Sequence, residues 1–162
     1  MEKIRYHHEQ GNYPEAISQI PLFTALRKDC LDKILSHASI LRFKPGEIFL
    51  KQGGKSPGLF ILLKGAFQVS KGGREIVTLT KTGEVIGEIS HILDTPHQAT
   101  VASVGKAAVL QIGPEVTDTL SREDLDHFES VAYRYVAQLL AERLVKTSDR
   151  LTQKNLGDIY YL

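Results

Sequence analysis

Gly87-Glu88-Ile89-Ser90-His91-Ile92-Leu93-Asp94-Thr95-Pro96-His97-Gln98-Ala99-Thr100-Val101 reads as the end of a strand, one turn of helix, a tight loop and a strand that re-enters the fold. The first N–H groups of such a turn have no partner within the helix and lie at the positive end of its dipole. An anion can therefore settle there without catalytic machinery.

Outward from this turn the chain is punctuated by Gly46, Gly53-Gly54, Gly65, Gly72-Gly73, Gly83 and Gly105. Most of these glycines fall at the spacing of about 8 to 12 residues expected of short antiparallel strands. Phe67 and Val69 alternate with polar neighbours, Val77 with Leu79 and Leu110 with Ile112 extend the pattern, and Ile48 and Leu50 stand at the same spacing of two. Leu59-Phe60-Ile61-Leu62-Leu63 is a continuous apolar run suited to a strand buried on both faces. The expected fold is mainly β with flanking helices: an antiparallel β-barrel or jelly roll over about 40–112, with N-terminal helices and a long C-terminal helix. Closing the strands on themselves removes exposed edges and leaves room for one small ligand.

The flanks read as helical. Leu26, Leu31, Ile34, Leu35 and Ala38 recur at helical spacing before the barrel, and Leu125, Phe128, Ala132, Tyr135, Leu139 and Leu144 form a stripe after it. Ser121 and Asp124 predict an N-cap and a first-turn acid. No Gly or Pro occurs from Glu123 to Lys154, so the C-terminal helices are expected over about 113–154, with 155–162 as a tail. That length exceeds what a small barrel covers, and the surplus suits packing against a second copy in a homodimer. Residues 1–19 are expected to be an N-terminal helical extension. Gly11-Asn12-Tyr13-Pro14-Glu15-Ala16-Ile17 resembles the inter-helix signature of a tetratricopeptide repeat, but one such unit cannot bury its own face, so a helical hairpin packed on the barrel is the expectation.

Composition narrows the function. The 162 residues include 20 Lys and Arg against 19 Asp and Glu, for a net charge of +1, so there is no broad field to attract nucleic acid. The single Cys30 forms no internal disulfide. No apolar run reaches the roughly 18 to 20 residues of a membrane helix, and the N-terminal stretch lacks the apolar core of a secretion signal. A cytoplasmic setting without membrane contact is the expectation. The histidines His7, His8, His37, His91 and His127 lack companion ligands at metal spacing. No Gly-x-Ser-x-Gly elbow, Walker-type loop or Cys-His pairing signal appears. Neither a metal, a cofactor nor an enzyme activity is expected.

Ile20-Pro21-Leu22-Phe23, Phe43-Lys44-Pro45-Gly46-Glu47, Gln52-Gly53, Leu59 to Gly65 and Gly83-Glu84-Val85-Ile86-Gly87-Glu88 stand in an order and spacing that resembles the cyclic nucleotide-binding domain family, over about 20–150. Within that likeness, Gly87 to Val101 resembles the family's phosphate-binding cassette. The resemblance implies a stand-alone sensory module that binds cAMP or cGMP in a barrel pocket and relays binding through the C-terminal helix. Glu88 would accept a hydrogen bond from the ribose 2′-hydroxyl. The N–H groups of Gly87, Ile89 and Ala99 would face the cyclic phosphate, with Ser90 in the same turn and Thr100 near base or phosphate. Tyr135, Arg143 and Lys146 could reach the base by stacking. Only Leu151 to Leu162 follow, too short for the helix-turn-helix of the transcription-factor members, so no direct DNA binding is implied.

One position departs from the family pattern. His97 stands where an Arg is usual, and Gln98 follows where the family has a smaller residue. A guanidinium offers a charged fork to two phosphate oxygens, whereas a neutral imidazole offers one N–H. With charged hydrogen bonds contributing about 1.5 to 3 kcal/mol, the exchange weakens binding roughly 10- to 150-fold unless the ring becomes charged. The alternative reading follows from the same residues: a degenerate, non-binding domain retained as a dimerisation or docking platform.

Overall fold

The computed structural model describes residues 1–55 and 58–160, by backbone alone at 91 and 153–160. In chain order the elements are β1 (Glu2–Arg5), α1 (Glu15–Ser18), α2 (Pro21–Thr24), α3 (Lys28–His37), β2 (Ser39–Phe43), β3 (Ile48–Leu50), β4 (Leu59–Lys64) and β5 (Phe67–Lys71). They continue with β6 (Arg74–Leu79), β7 (Val85–Ile86), α4 (Glu88–Leu93), β8 (Thr100–Ser103), β9 (Ala107–Ile112), α5 (Pro114–Thr117) and α6 (Arg122–Tyr160). The strands form two antiparallel sheets, ordered β1-β2-β9-β4-β7 and β3-β8-β5-β6.

The apolar run of β4 explains the layering. Successive side chains of a strand point to opposite faces, so Phe60 and Leu62 enter the space between the sheets while Leu59 and Ile61 turn toward the helices. Between the sheets Phe60 joins Phe43, Leu50, Phe67, Ile86 and Val109. Phe43, Phe49, Phe60 and Phe67 contact one another with ring centroids 4.8 to 5.5 Å apart, a spacing at which aromatic pairs gain beyond simple burial. On the outer face of the larger sheet Ile34, Leu35, Leu110, Phe128 and Val136 make a second core. The jelly roll with flanking helices expected from the sequence is thus present.

Three features place α6. Ser121 Oγ accepts the Asp124 N–H at 3.2 Å, the N-cap expected from the sequence. Asp124 also receives Lys33 Nζ and Arg27 Nη2, tying α6 to α3. Those hydrogen bonds, that from Lys33 foremost, hold its carboxyl at about 2. Phe128 and Val136 then bury one stripe of the helix. Beyond Arg143 this contact stops: Leu144 is 67% exposed, Val145 60% and Leu151 58%. Leu144 therefore extends the apolar stripe past the barrel. The expected tail at 155–160 continues the helix despite Gly157, and 161–162 lie outside the described residues.

The N-terminal extension differs from the helical hairpin expected. Glu2 to Arg5 form β1, which pairs with β2 in the register Glu2↔Arg42 to Arg5↔Ser39. The open edge of β2 offers unpaired N–H and C=O groups, and an extended segment satisfies them where a hairpin of helices cannot. Of the helix only the single turn α1 remains. A polar cluster anchors the segment: the Tyr13 hydroxyl donates to Asp32 Oδ1 at 2.7 Å, and His8 Nε2 lies 2.6 Å from the same oxygen. Burial and the neighbouring carboxylate push the Tyr13 hydroxyl up to about 12.

Candidate functional site

The turn that opens the sequence argument folds as strand β7, helix α4, loop and strand β8. Gly87 caps α4 with φ +81°, and Asp94 ends it at φ +48°. Both lie in the left-handed region, which a residue with a Cβ enters only at a cost. A Cβ on Gly87 would also stand 3.1 Å from Leu50 Cδ1. With six residues, α4 has little dipole of its own, so any attraction for an anion rests on its free N–H groups.

Glu88 is 4% exposed. Arg143, reaching in from α6, donates from Nη1 to Glu88 Oε1 and from Nη2 to the Val85 carbonyl at 3.0 Å. Burial pushes the Glu88 carboxyl above its ordinary range, and the Arg143 guanidinium works against that shift without cancelling it. Cassette and C-terminal helix are thereby joined through one ion pair.

His97 is 6% exposed. Its N–H donates to the Gly54 carbonyl and its carbonyl accepts from Gly53, both at 2.8 Å, which fixes the exit of the cassette to the loop after β3. Burial pulls the imidazole below its ordinary range, so desolvation opposes the charge that would stand in for an arginine. The neighbouring polar groups are engaged locally. Gln98 Nε2 donates to the Pro96 carbonyl at 2.9 Å, Ser90 Oγ approaches the same oxygen at 3.5 Å, and Thr100 Oγ1 accepts the Gln52 N–H at 3.1 Å. Ile89 is exposed and Ala99 half-buried. Tyr135 is placed away from the cassette, with its hydroxyl donating to the Gly83 carbonyl at 2.8 Å, and Lys146 is exposed. The His91 side chain lies outside the described residues.

A cavity of about 480 Å³ opens beside this turn, with Glu88, Ser90 and His97 on one wall and Leu59, Ile112 and Phe128 on another. Its volume falls in the range of drug-sized ligand sites. The sequence pattern marks Phe128 and Ala132 only as a helix stripe, and periodicity carries no sign that the stripe leaves a gap above the cassette. The link from His97 to Gly53 and Gly54 was equally hidden, although a paired glycine is the signal that could have drawn attention to it. Among the described residues no three His, Cys, Asp or Glu are grouped to hold a metal ion, and no helix is long and apolar enough to cross a membrane.

Comparison with known proteins gives this geometry its context. Over 120 residues the chain is 29% identical to a cGMP-dependent protein kinase of Toxoplasma gondii, a match covering 74% of this chain and 12% of the kinase. Across several curated kinase and regulatory-subunit relatives the matched stretch is 12% to 33% of their length. Among solved structures, a cyclic nucleotide-binding domain from Methylobacillus flagellatus superposes with a TM-score of 0.70 at 18% identity, covering 83% of this chain and 82% of that one. The regulatory subunit of a cAMP-independent protein kinase A from Trypanosoma brucei gives 0.63 at 18% identity, over 80% and 46%. The model of the family described as "Cyclic nucleotide-binding domain" matches residues 40–124, just over half of the chain. The chain belongs to the cyclic nucleotide-binding domain family.

Proposed function

We propose that this chain is a non-catalytic regulatory module that takes up cAMP or cGMP at the cassette and reports the event through α6. The observation that carries this reading is the Glu88–Arg143 pair. An ionised carboxylate accepts at two oxygens. A ribose hydroxyl on Glu88 therefore either shares the acid with Arg143 or displaces it, and in both cases the hold on α6 changes. The ligand shifts α6 by its difference in affinity for the two arrangements and by no more. The homodimer expected from the sequence would use α6 beyond Arg143, where Leu144 and Leu151 are exposed one heptad apart.

A second reading is favoured by His97. A buried ring whose charge is opposed by desolvation, where the family has an arginine, suits a domain that docks or dimerises without a nucleotide, and a kindred domain belongs to a kinase described as cAMP-independent. Titration calorimetry with cAMP and with cGMP, on the native chain and on His97→Arg, separates the two. Measurable affinity that tightens about 10-fold or more in the variant supports the sensory module. No heat from either protein at millimolar nucleotide supports the docking platform.

A further inference from the structure

We infer that the cavity between the cassette and α6 is a second ligand site, adjoining the cassette and built for a small amphipathic cation. It shares Glu88, Ser90 and His97 with the cassette, and the rest of its lining lies away from the space that Gly87 adjoins. Leu59 and Ile112 belong to the helix-facing core of the larger sheet, whereas Phe60, one residue on, faces the space between the sheets that Gly87 adjoins. The cavity therefore lies on the helical side of that sheet, under α5 and the first half of α6.

Its chemistry is lopsided. The interior is largely apolar, while Asp94, Asp118 and Glu129 stand exposed at its rim, against Lys55 as the one Lys or Arg among the described lining residues. None of the three acid side chains makes an ion pair or hydrogen bond among the described residues, and Glu88, the fourth acid, is already neutralised by Arg143. A phosphate entering here meets carboxylates, so the cavity disfavours anions. An ammonium group with an apolar body meets the complement: acids at the mouth, the exposed Tyr133 ring beside them for cation–π contact, and hydrocarbon within. A second observation marks the cavity as able to hold a polar ligand group. The Thr95 hydroxyl lines the cavity, is buried and has no hydrogen-bond partner among the described residues. Buried polar groups are normally satisfied, and an orphaned one beside an open cavity accepts a ligand N–H without displacing a protein bond.

The inference does not rest on nucleotide binding. Three probes of one shape test it on the whole chain: 4-cyclohexylbenzylamine, 4-cyclohexylbenzyl alcohol and 4-cyclohexylbenzoate, titrated at pH 7 by calorimetry and methyl NMR. With each rim charge contributing about two- to fivefold, the amine should bind about 10-fold or more tighter than the alcohol, with the benzoate weakest. Signals of Ala132 and Thr95 should shift before others. Ala132→Phe fills the cavity and should abolish binding. The surface variant Asp118→Asn with Glu129→Gln, which leaves the core untouched, should cut the preference for the amine about fourfold or more. The inference is overturned by benzoate binding as tightly as the amine, by affinity that survives Ala132→Phe, by a charge preference indifferent to the surface variant, or by no binding at millimolar probe.

Discussion

Replacing Arg143 with Met keeps the hydrocarbon stem along α6 and removes only the guanidinium, so it isolates the ion pair with Glu88. The side chains are 32% and 5% exposed respectively. Stripping a buried charge of its partner costs about 3–5 kcal/mol, and the partial exposure of Arg143 reduces that to about 2–3 kcal/mol. A ceiling comes from the acid itself. Glu88 can escape by taking a proton, which for a carboxyl of ordinary pKa 4.5 costs about 3.4 kcal/mol at pH 7 and about 0.7 kcal/mol at pH 5. In the variant the folded state binds this proton more tightly than the unfolded chain, so its stability falls as pH rises and the deficit relative to the native protein shrinks on acidification. Thermal unfolding followed by circular dichroism should show a loss of about 5–10 °C at pH 7 and less than about 3 °C at pH 5. Glu88→Gln should cost about 1 kcal/mol or less, because the stranded guanidinium keeps the Val85 carbonyl and reaches water. Adding Arg143→Met to Glu88→Gln should cost little more. Equal, small and pH-independent losses for the two single variants would refute the reasoning.

Other consequences can be checked by the same melting assay. Gly87→Ala must adopt φ +81°, and should lose about 1–2 kcal/mol without losing secondary structure by circular dichroism. Tyr135→Phe removes the bond to the Gly83 carbonyl and should cost about 1 kcal/mol, or about 2–4 °C. Asp124, held at about 2 chiefly by Lys33, contributes stability that is complete above 3.8 and lost as pH falls toward 2; Asp124→Asn should flatten the Tm profile over that window. His97, held below 6.5 by burial, has the unfolded chain binding its proton first, so stability falls as pH drops through 6.5, and His97→Gln should flatten the fall between pH 7 and 5.5.

The strands and the outer helices were legible because their signals are local. The apolar run of β4 and the Ser121–Asp124 cap each encode their own conformation within a few residues, and the structure repeats both. The first five residues were not legible as a strand, because what makes them one is the free edge of β2, about 40 residues away. Glu88 could be named from its place in the turn, and Arg143 only as a cation somewhere on the long helix. That the two meet across 55 positions depends on how α6 lies against the barrel. Tyr135 shows the converse: a residue of the right type on the right helix, whose hydroxyl is taken by the Gly83 carbonyl.

The overhang of α6 gives a small movement mechanical advantage. From Arg143 to Tyr160 the rod runs about 26 Å at about 1.5 Å per residue, and residues 144–152 on it are exposed. A pivot of about 10° at the arginine, no more than a loosened grip on one carboxylate, would swing the far tip by about 4–5 Å. That is the distance over which apolar side chains make or lose contact. On the proposed reading, an adjustment at one buried acid would become a change of neighbours far from it.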